Sequence, residues 1–428
     1  MHILRFIYLK VKWIYKKIAS KRIERANKKR LEYYISKGNS FKEVKNVLFV
    51  VIHKSVWKLD SVFKKMLESS QFNPTILVAP HTAFGNEQMI LDLNESYDFF
   101  RSKKYPVVKG FDVELKIDYI KLLNPDIIFF TNPHDLTFKE YYTNLFKNFI
   151  SYYVPYYYQI SKWGDYSAQY DQLFHNSMHR IFSPHNIALE LHKKYATNKG
   201  KNVIVTGYPA MEPFMDKFYK PNNPWKTQEK EKLRVIWAPH HTINSPELPY
   251  SNFLKYAIFF KELAQHTKDK IQWAFKPHPI LKPKLINHTD WGKEKTESYW
   301  NFWRENLNCQ IEEGDYTDLF LTSDAMIHDS GSFLVEYMYV NKPVLYLTST
   351  LDIKNYFNEL GCEAFDVCYK AFTKDDIIKF IESLYEEDDP MILERKSFIS
   401  KHINPFFSDK FPSDLIIASI VSDFKLDA

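Results

Sequence analysis

A short polar run in the last third of the chain has the residue types that bind phosphate. It follows the apolar residues 325–327 and reads His328, Asp329, Ser330, Gly331, Ser332. The apolar residues predict a buried strand, and the spacing of Phe333, Tyr337 and Val340 predicts a helix directly after the run. Backbone N–H groups at the start of a helix favour an anion. The run therefore predicts a phosphate site; the alternative is an ordinary turn in which Ser330 or Ser332 caps the helix.

Histidine recurs at the predicted ends of several strands. The first half of the chain contributes His53, His81 and His134, and the second half contributes His241, His278 and His328. A histidine can accept a proton at one step and stabilise a phosphate charge at another, because its pKa lies near 6.5. We expect some of the six to face a ligand, although a single histidine after a strand is usually a hydrogen-bonded loop residue. A metal site is not expected, since none of the six has another histidine four residues away.

Predicted strands and helices alternate along the chain in two series. The first series has strands at residues 47–52, 75–79, 105–108, 126–131, 148–154, 180–183 and 202–206. The second follows a polar, proline-containing stretch, with strands at 233–238, 271–275, 310–311 and 325–327 and helices at 252–268 and 374–385. Such alternation is typical of parallel sheets covered by helices on both faces. We predict an α/β protein with two doubly wound, Rossmann-like domains facing each other across a cleft.

The length of the chain also favours two domains. With 428 residues, 45% of them hydrophobic, it can form two sizeable cores. The predicted boundaries are a basic arm at 1–45, a first domain at 46–212, a second domain at 213–405, and a C-terminal helix at 406–428 that could pack back on the first domain. Three cysteines fit neither a zinc site nor a disulfide framework, which favours a reducing cytosolic compartment.

The positive charge of the chain is concentrated at its amino end. The formal net charge is +6, and fourteen Lys or Arg lie between Arg5 and Lys45. Apolar side chains from Ile3 to Ile14 are interspersed with these charges, so no run reaches the ~20 apolar residues of a membrane span. The pattern predicts a basic amphipathic helix on an anionic membrane surface, while a helix packed on the protein's own surface is the alternative. Nucleic acid is not expected as a partner.

The second half of the chain resembles the CDP-glycerol glycerophosphotransferases, which build teichoic acids and related capsular polymers. Asp329, Ser332 and Glu336 match the aspartate, second serine and acidic residue of the family's Asp-Tyr-Ser-Ser motif and the helix after it. His278 matches the histidine of its His-Pro motif. Further matches are Ala238-Pro239 at a strand end, Gly207 and Pro209 at the domain junction, and Lys342-Pro343-Val344 before a strand.

The resemblance implies a two-domain, B-type glycosyltransferase (GT-B) fold with the acceptor domain first and the nucleotide-donor domain second. It implies transfer of glycerol phosphate, or a related polyol phosphate, from a CDP-activated donor to a polymer or lipid-linked acceptor at the inner face of the cell membrane, with release of CMP and without a cofactor. By this resemblance His278 and Ser332 would hold the donor's pyrophosphate, and Asp329 would shape the turn. Together with the other strand-end and turn residues, the predicted donor site consists of His241, His278, Asp329, Ser330, Gly331, Ser332 and Glu336. The catalytic candidates are His278 and, as general bases, His53, His81 and His134.

The chain also departs from the family's pattern. Ser330 and Gly331 replace the usual Tyr and Ser, and Ala210 stands where an arginine is common. The Trp-His-Gly of the first domain, whose histidine is thought to be the base, is absent, and the strand end there reads Pro155-Tyr156-Tyr157. Two alternatives therefore stay open: a GT-B glycosyltransferase or UDP-sugar 2-epimerase, whose Asp-Ser-Gly turn resembles residues 329–331, and an inactive scaffold of an envelope complex.

Overall fold

The chain forms two compact units in a computed structural model that describes residues 2–38, 44–112, 117–407 and 409–426, with the side chains of residues 2–9 and 37–38 left out. The first unit contains residues 1–159, 165–212 and 406–428. The second contains residues 160–164 and 213–405. Each unit is built around one parallel sheet, so the predicted α/β class with two doubly wound domains is confirmed.

The first unit has a seven-stranded parallel sheet with the order β3-β2-β1-β4-β5-β6-β7. Its inner strands are largely buried, while its two edge strands are half-buried. The strands are β1 (Lys45–Val51), β2 (Phe72–Val78), β3 (Val107–Lys109), β4 (Ile127–Phe130), β5 (Ile150–Tyr153), β6 (Arg180–Ser183) and β7 (Val203–Val205). The helices are α1 (His2–Gly38), α2 (Asp60–Glu68), α3 (Asn86–Ser102), α4 (Tyr119–Leu123), α5 (Thr143–Asn148), α6 (Ser167–Tyr170), α7 (Leu173–Ser177) and α8 (Asn186–Tyr195).

The second unit has a six-stranded parallel sheet with the order β10-β9-β8-β11-β12-β13. Its strands are β8 (Leu233–Ala238), β9 (Ile271–Phe275), β10 (Cys309–Ile311), β11 (Ala325–His328), β12 (Val344–Leu347) and β13 (Tyr369–Ala371). A short α9 (Glu212–Met215) begins at the last residue of the first unit. The remaining helices are α10 (Phe253–His266), α11 (Leu281–Ile286), α12 (Gly292–Glu305), α13 (Thr317–Thr322), α14 (Phe333–Glu336), α15 (Glu359–Asp366), α16 (Lys374–Tyr385) and α17 (Ile392–His402).

The last helix, α18 (Pro412–Phe424), packs on the first unit. Its apolar side chains Ile416 and Ile420 are fully buried in that unit's core. Near its end, Asp423 accepts hydrogen bonds from the Tyr152 hydroxyl at 3.0 Å and from Arg180 Nη2 at 2.9 Å. Burial alone would raise the pKa of Asp423, but hydrogen bonds from neighbours such as Arg180 lower it to about 2. The carboxylate therefore stays ionised and fixes the end of the helix to the sheet.

Gly207 shows why a glycine is needed near the end of the first unit. Its φ is +81°, a conformation that side chains disfavour. A Cβ on it would also lie 2.9 Å from Cβ of Phe406, within the same unit. The Gly-x-Pro sequence at this point is thus explained by backbone conformation and close packing.

The amino-terminal helix α1 is divided into a packed part and an exposed part. Ile23 and Asn27 are buried against the first unit, and Lys16 pairs with Asp171. In contrast, Val11 and Ile14 are exposed, together with the neighbouring Tyr15 and Ile18. The later turns of α1 therefore pack on the protein's own surface, as the alternative states. Membrane binding by the exposed part stays a prediction. The side chains of residues 3–9, which the same prediction includes, lie outside the described residues.

Two buried histidines predict an acid-sensitive first unit. His175 on α7 and His192 on α8 are each 1% exposed, and burial lowers the pKa of His175 well below 6.5 and that of His192 to about 3. In the unfolded chain they bind protons below about pH 6.5, whereas in the folded chain they stay neutral. Their contribution to stability is therefore complete above about pH 6.5 and is lost as the pH falls, by up to about 1.4 kcal/mol per pH unit for each histidine.

Calorimetry between pH 7 and pH 5 checks this expectation. The unfolding temperature of the first unit should fall, and His192→Phe should make the fall less steep. His266→Phe, at an exposed position of the second unit, should leave the slope unchanged. Equal slopes for the wild type and His192→Phe would show that His192 takes no part in the acid sensitivity.

Candidate active site

The candidate site of the second unit lies where three neighbouring strands end. In the sheet, β8 lies between β9 and β11. Trp237 near the end of β8 is level with Phe275 on β9 and with Ile327 on β11. Because the strands are parallel and in register, the residues after them emerge at one edge of the sheet, where α/β sheets bind ligands.

Three histidines meet at this edge. His240 and His241 follow β8, and His278 follows β9. The ring centroids lie 4.4 Å apart for His240 and His241, 4.1 Å for His241 and His278, and 5.1 Å for His240 and His278. All three side chains are half-buried, so the cluster remains open to a ligand. The sequence analysis selected His241 and His278; the structure brings them together and adds His240.

Hydrogen bonds define which ring nitrogens of the cluster carry protons. The Ile280 amide donates to Nδ1 of His278 at 3.2 Å, and the Lys284 ammonium donates to Nδ1 of His241 at 3.2 Å. In both neutral rings the proton must therefore be on Nε2. An N–H group is a hydrogen-bond donor and cannot ligate a metal. Although ring nitrogens of the cluster lie within 4.8 Å of one another, these tautomers favour an anion.

Burial keeps these histidines neutral. It lowers the pKa of His278 well below 6.5, and the nearby His241 and His240 lower it further. Burial also lowers the pKa of His241 to about 4, with Lys284 as the second cause. The cluster thus offers neutral N–H donors beside a lysine ammonium. A diphosphate, with several oxygen acceptors and negative charge, matches this combination.

Asp329 stabilises the backbone of the site. Its side chain is fully buried and accepts hydrogen bonds from the backbone amides of His240, at 2.6 Å, and Asn252. Burial raises the pKa of Asp329 to about 7, although these hydrogen bonds act in the opposite direction. The aspartate therefore connects the turn after β11 to the loop after β8. It positions the backbone that carries His240 rather than facing the opening.

The turn after β11 differs from its predicted form. The helix predicted from Phe333 to Val340 is only one α-helical turn, α14, followed by a 3-10 turn at Tyr337–Val340. The residue before α14 is Ser332, whose side chain makes no capping hydrogen bond. The capping role considered for Ser332 is therefore wrong. The Ser330 amide donates to Nδ1 of His328 at 3.2 Å, so it is not free for a ligand.

The remaining predicted residues of this stretch are buried. His328 is 0% exposed and lies beneath the turn, so it is not one of the strand-end histidines that face a ligand. Gly331 is also buried, and a Cβ on it would lie 3.2 Å from Ser161 Oγ and 3.2 Å from a ring carbon of Tyr250. Glu336 is 1% exposed. Among the predicted donor residues, the half-buried Ser332 is therefore the most accessible part of the turn.

The three histidines of the first unit follow β1, β2 and β4, which are neighbours in its sheet. His53 Nδ1 accepts from the Ser55 amide at 3.2 Å. His81 Nδ1 contacts Asp92 at 3.2 Å, and His134 Nδ1 lies 3.4 Å from the Gln172 side-chain amide. Burial lowers the pKa of His53 and of His134.

Four residues that shape the sites were not predicted from the sequence, namely His240, Asn252, Lys284 and Asp92. The first was visible as the neighbour of His241 at a strand end. Asn252 lies outside every motif, and Lys284 lies on α11, just after the His278-Pro279 motif. Only the fold shows that both reach the site. Asp92 lies on α3, where an acidic residue is unremarkable.

Comparison with known proteins agrees with the predicted family and fold. A sequence profile described as CDP-Glycerol:Poly(glycerophosphate) glycerophosphotransferase matches residues 162–421. Among curated proteins, the teichoic acid ribitol-phosphate polymerase TarL of Staphylococcus aureus is 22% identical over 247 residues, which is 56% of this chain and 40% of TarL. A teichoic acid poly(ribitol-phosphate) polymerase of Bacillus spizizenii is 25% identical over 187 residues, 42% of this chain and 28% of that protein. The chain thus spans less than half the length of these relatives.

Solved structures show the same two-domain fold. The wall teichoic acid polymerase TagF, solved after a soak with CDPG, has a TM-score of 0.57 at 13% identity and covers 97% of this chain and 98% of its own. The S. aureus MnaA–UDP structure also has a TM-score of 0.57, at 16% identity, over 90% of this chain and 98% of that one. These likenesses extend over both units, and the sequence profile includes all the residues of the second unit's site. The chain belongs to the CDP-glycerol:poly(glycerophosphate) glycerophosphotransferase family.

Proposed function

We propose that this protein transfers glycerol phosphate, or a related polyol phosphate such as ribitol phosphate, from a CDP-activated donor to a cell-envelope or capsular polymer acceptor. One observation carries the proposal: a cluster of neutral histidine N–H donors and a lysine at one sheet edge, inside the region that the family profile matches. The family's description supports glycerol, and the curated relatives' names support ribitol.

The proposed chemistry is displacement at the donor's second phosphorus. The acceptor hydroxyl forms a bond to that phosphorus, and the bond to the bridging oxygen breaks, so that CMP leaves with the electron pair. Negative charge develops on the bridging oxygen, where Nε2–H of His278 would donate a hydrogen bond. Lys284 would balance the charge of the diphosphate, and Ser332 would add a donor from the turn. This arrangement stabilises the transition state more than the bound substrate.

Thermal unfolding with nucleotides tests the donor assignment. CMP and CDP should raise the melting temperature more than UDP or GDP, because a ligand at about 100 times its Kd stabilises the folded state by about 2.7 kcal/mol. The alternative of a UDP-sugar 2-epimerase rests on the Asp329-Ser330-Gly331 turn and on the fold shared with a solved putative UDP-N-acetylglucosamine 2-epimerase of Listeria monocytogenes. A larger shift with UDP than with CMP would favour that alternative.

We also propose that helix α1 holds the protein on an anionic membrane surface, at the cytoplasmic face where a lipid-linked acceptor would be presented. The exposed residues Val11, Ile14, Tyr15 and Ile18 recur at the spacing of one helix face. Lysines 10, 12 and 17 flank this face. Apolar residues beside lysines are typical of helices that lie in the membrane interface. No helix in the described part of the chain is long and apolar enough to cross a membrane.

Substitutions on the exposed face test the membrane assignment. Ile14→Asp with Ile18→Asp should reduce co-sedimentation with vesicles of phosphatidylglycerol and phosphatidylcholine at least about tenfold, since each buried aliphatic side chain contributes about 1.5–3 kcal/mol. Deleting the whole arm is a poorer test, because Ile23 and Asn27 pack on the first unit. Leu307→Asp, at a position 84% exposed in the second unit, is the matched control. Unchanged co-sedimentation of the double variant would contradict the assignment.

A further inference from the structure

A segment remote in sequence packs against the turn after β11. Residues 160–164 belong to the second unit, although the residues on either side of them belong to the first. We call these residues the strap. The turn that follows β11 lies in the second unit as well, so the strap and the turn are parts of one compact body.

Backbone groups hold the strap in place. The Lys162 amide donates to the carbonyl oxygen of Tyr356 at 2.8 Å. The Asn358 amide donates to the carbonyl oxygen of Ile160 at 2.7 Å, and the Ile160 side chain is 1% exposed. Between these two bonds, Ser161 forms a short antiparallel bridge. The backbone position of Ser161 is therefore set by neighbours that do not involve its own side chain.

The hydroxyl of Ser161 lies beside Gly331 in the turn. A Cβ on Gly331 would lie 3.2 Å from Oγ of Ser161, which is a tight contact. The hydroxyl thus lies next to the space that a side chain at position 331 would need. Gly331 stands where the family's motif usually has a serine. In this chain a serine hydroxyl is still present beside the turn, but the strap supplies it.

Tyr250 connects this hydroxyl with the histidine cluster. The same Cβ on Gly331 would lie 3.2 Å from a ring carbon of Tyr250, and the Tyr250 and His240 ring centroids are 5.5 Å apart. The Tyr250 hydroxyl donates at 2.9 Å to the carbonyl oxygen of Tyr356, which also accepts from the strap. Tyr250 is therefore fixed between the turn, the cluster and the strap. Ser161 belongs to the same site as the neutral N–H donors.

Ser161 is also accessible enough to contact a ligand. Its side chain is half-buried, as is that of Ser332, whereas His328 is buried and the Ser330 amide already donates to His328. A hydroxyl can donate its proton to a phosphate oxygen and accept hydrogen bonds at the same time. Such a bond to a charged acceptor is stronger than a bond between neutral groups. The hydroxyl thus adds a suitable donor to the site.

We propose that Ser161 is a further donor-site residue, whose hydroxyl donates a hydrogen bond to an oxygen of the donor's diphosphate beside Gly331. The assignment rests on the proposed function, which brings a diphosphate to this turn. The hydroxyl keeps its proton and forms no covalent bond, so it binds and orients the diphosphate. The strap thereby supplies a hydroxyl that the turn itself lacks at position 331.

Calorimetric titration with inorganic pyrophosphate and with CDP tests the assignment. Ser161→Ala should raise the Kd for both ligands at least about tenfold, as expected when a hydrogen bond to a charged group is lost. Ser161→Thr keeps a hydroxyl and should bind both ligands more tightly than Ser161→Ala. Ser298→Ala, at an exposed position of α12 in the same unit, is the matched control and should keep the wild-type Kd.

Cytidine and urea unfolding separate this binding role from a structural one. Cytidine has no phosphate, so its Kd should be the same for the wild type and Ser161→Ala. The urea midpoint without ligand should also stay nearly unchanged, because backbone bonds hold the strap. Weaker pyrophosphate binding with unchanged cytidine binding supports the proposal. An equal loss of affinity for pyrophosphate and cytidine, with a lower urea midpoint, would show that Ser161 is only structural.

The outcomes also separate this proposal from the proposed function. If the wild type and Ser161→Ala bind pyrophosphate and CDP with the same Kd, the role of Ser161 is wrong and the proposed function stands. If the wild type binds UDP more tightly than CDP, the proposed function fails, and the pyrophosphate titrations still decide the role of Ser161. A wild type that binds neither pyrophosphate nor CDP would contradict both.

Discussion

Replacing His278 with alanine is expected to lower kcat for transfer from CDP-glycerol about 10²- to 10³-fold, by analogy with the loss of one oxyanion donor. The Ile280 amide occupies Nδ1 of this histidine, so Nε2–H is directed to donate. Because the ring is neutral, it contributes most when charge develops on the bridging oxygen. Steady-state kinetics with CMP release as the readout measures the effect.

The controls for His278 come from the same unit. His288→Ala removes a half-buried histidine whose Nε2 contacts Asn244 at 3.0 Å, outside the cluster, and should leave kcat nearly unchanged. Ser332→Ala should lower kcat only ~10-fold, as a neutral hydrogen bond of about 1.4 kcal/mol would. The double variant with His278→Ala should lose less than the product of the single losses, since both act on one diphosphate. Near-normal turnover by folded His278→Ala would make this histidine a loop residue.

Asp329→Ala is expected to destabilise the second unit by about 2–6 kcal/mol. The substitution leaves the buried amides of His240 and Asn252 without their acceptor, and each unsatisfied buried group costs about 1–3 kcal/mol. Urea unfolding followed by tryptophan fluorescence measures the change, since most tryptophans lie in the second unit. Activity should fall as well, because the loop that carries His240 loses its support.

Asp352→Ala is the matched control for Asp329, since this aspartate is exposed and its side chain caps no helix. Its effect on the unfolding free energy should stay within about 0.5 kcal/mol. Asp329→Asn keeps one acceptor oxygen and should destabilise the unit less than Asp329→Ala. A stability for Asp329→Ala equal to that of the control would contradict the supporting role of the buried carboxylate.

Much of the fold follows from local sequence signals. β8, β9 and helix α16 have the predicted bounds, because each is a continuous apolar or helical pattern with clear ends. β13 was not predicted, since its three residues include Lys370 and their pairing with β12 supplies the stability that local sequence lacks. The helix predicted after Gly331 has the right start but only one α-helical turn. Its later residues form a 3-10 turn, and the spacing of apolar residues cannot distinguish such a turn from an α-helix.

The site was less predictable than the sheet. From their positions after predicted strands, His241 and His278 were correctly expected at one edge of the sheet. The residues that follow parallel strands in register emerge together. It could not distinguish His328, which is buried under the turn, from His278, which lines the opening. Nor could it reveal which ring nitrogens carry protons. That depends on single hydrogen bonds, such as those from Ile280 to His278 and from His81 to Asp92.

The most direct test is incubation of the protein with CDP-glycerol, CDP-ribitol or UDP-GlcNAc together with oligo(glycerol phosphate), with nucleotides and polymer length followed by chromatography. We expect CMP to appear from a CDP-polyol in step with extension of the acceptor, and the His278→Ala protein to release it at least about 10²-fold more slowly. Absence of CMP from both CDP-polyols, with release of UDP or epimerisation of UDP-GlcNAc, would contradict the proposed transfer.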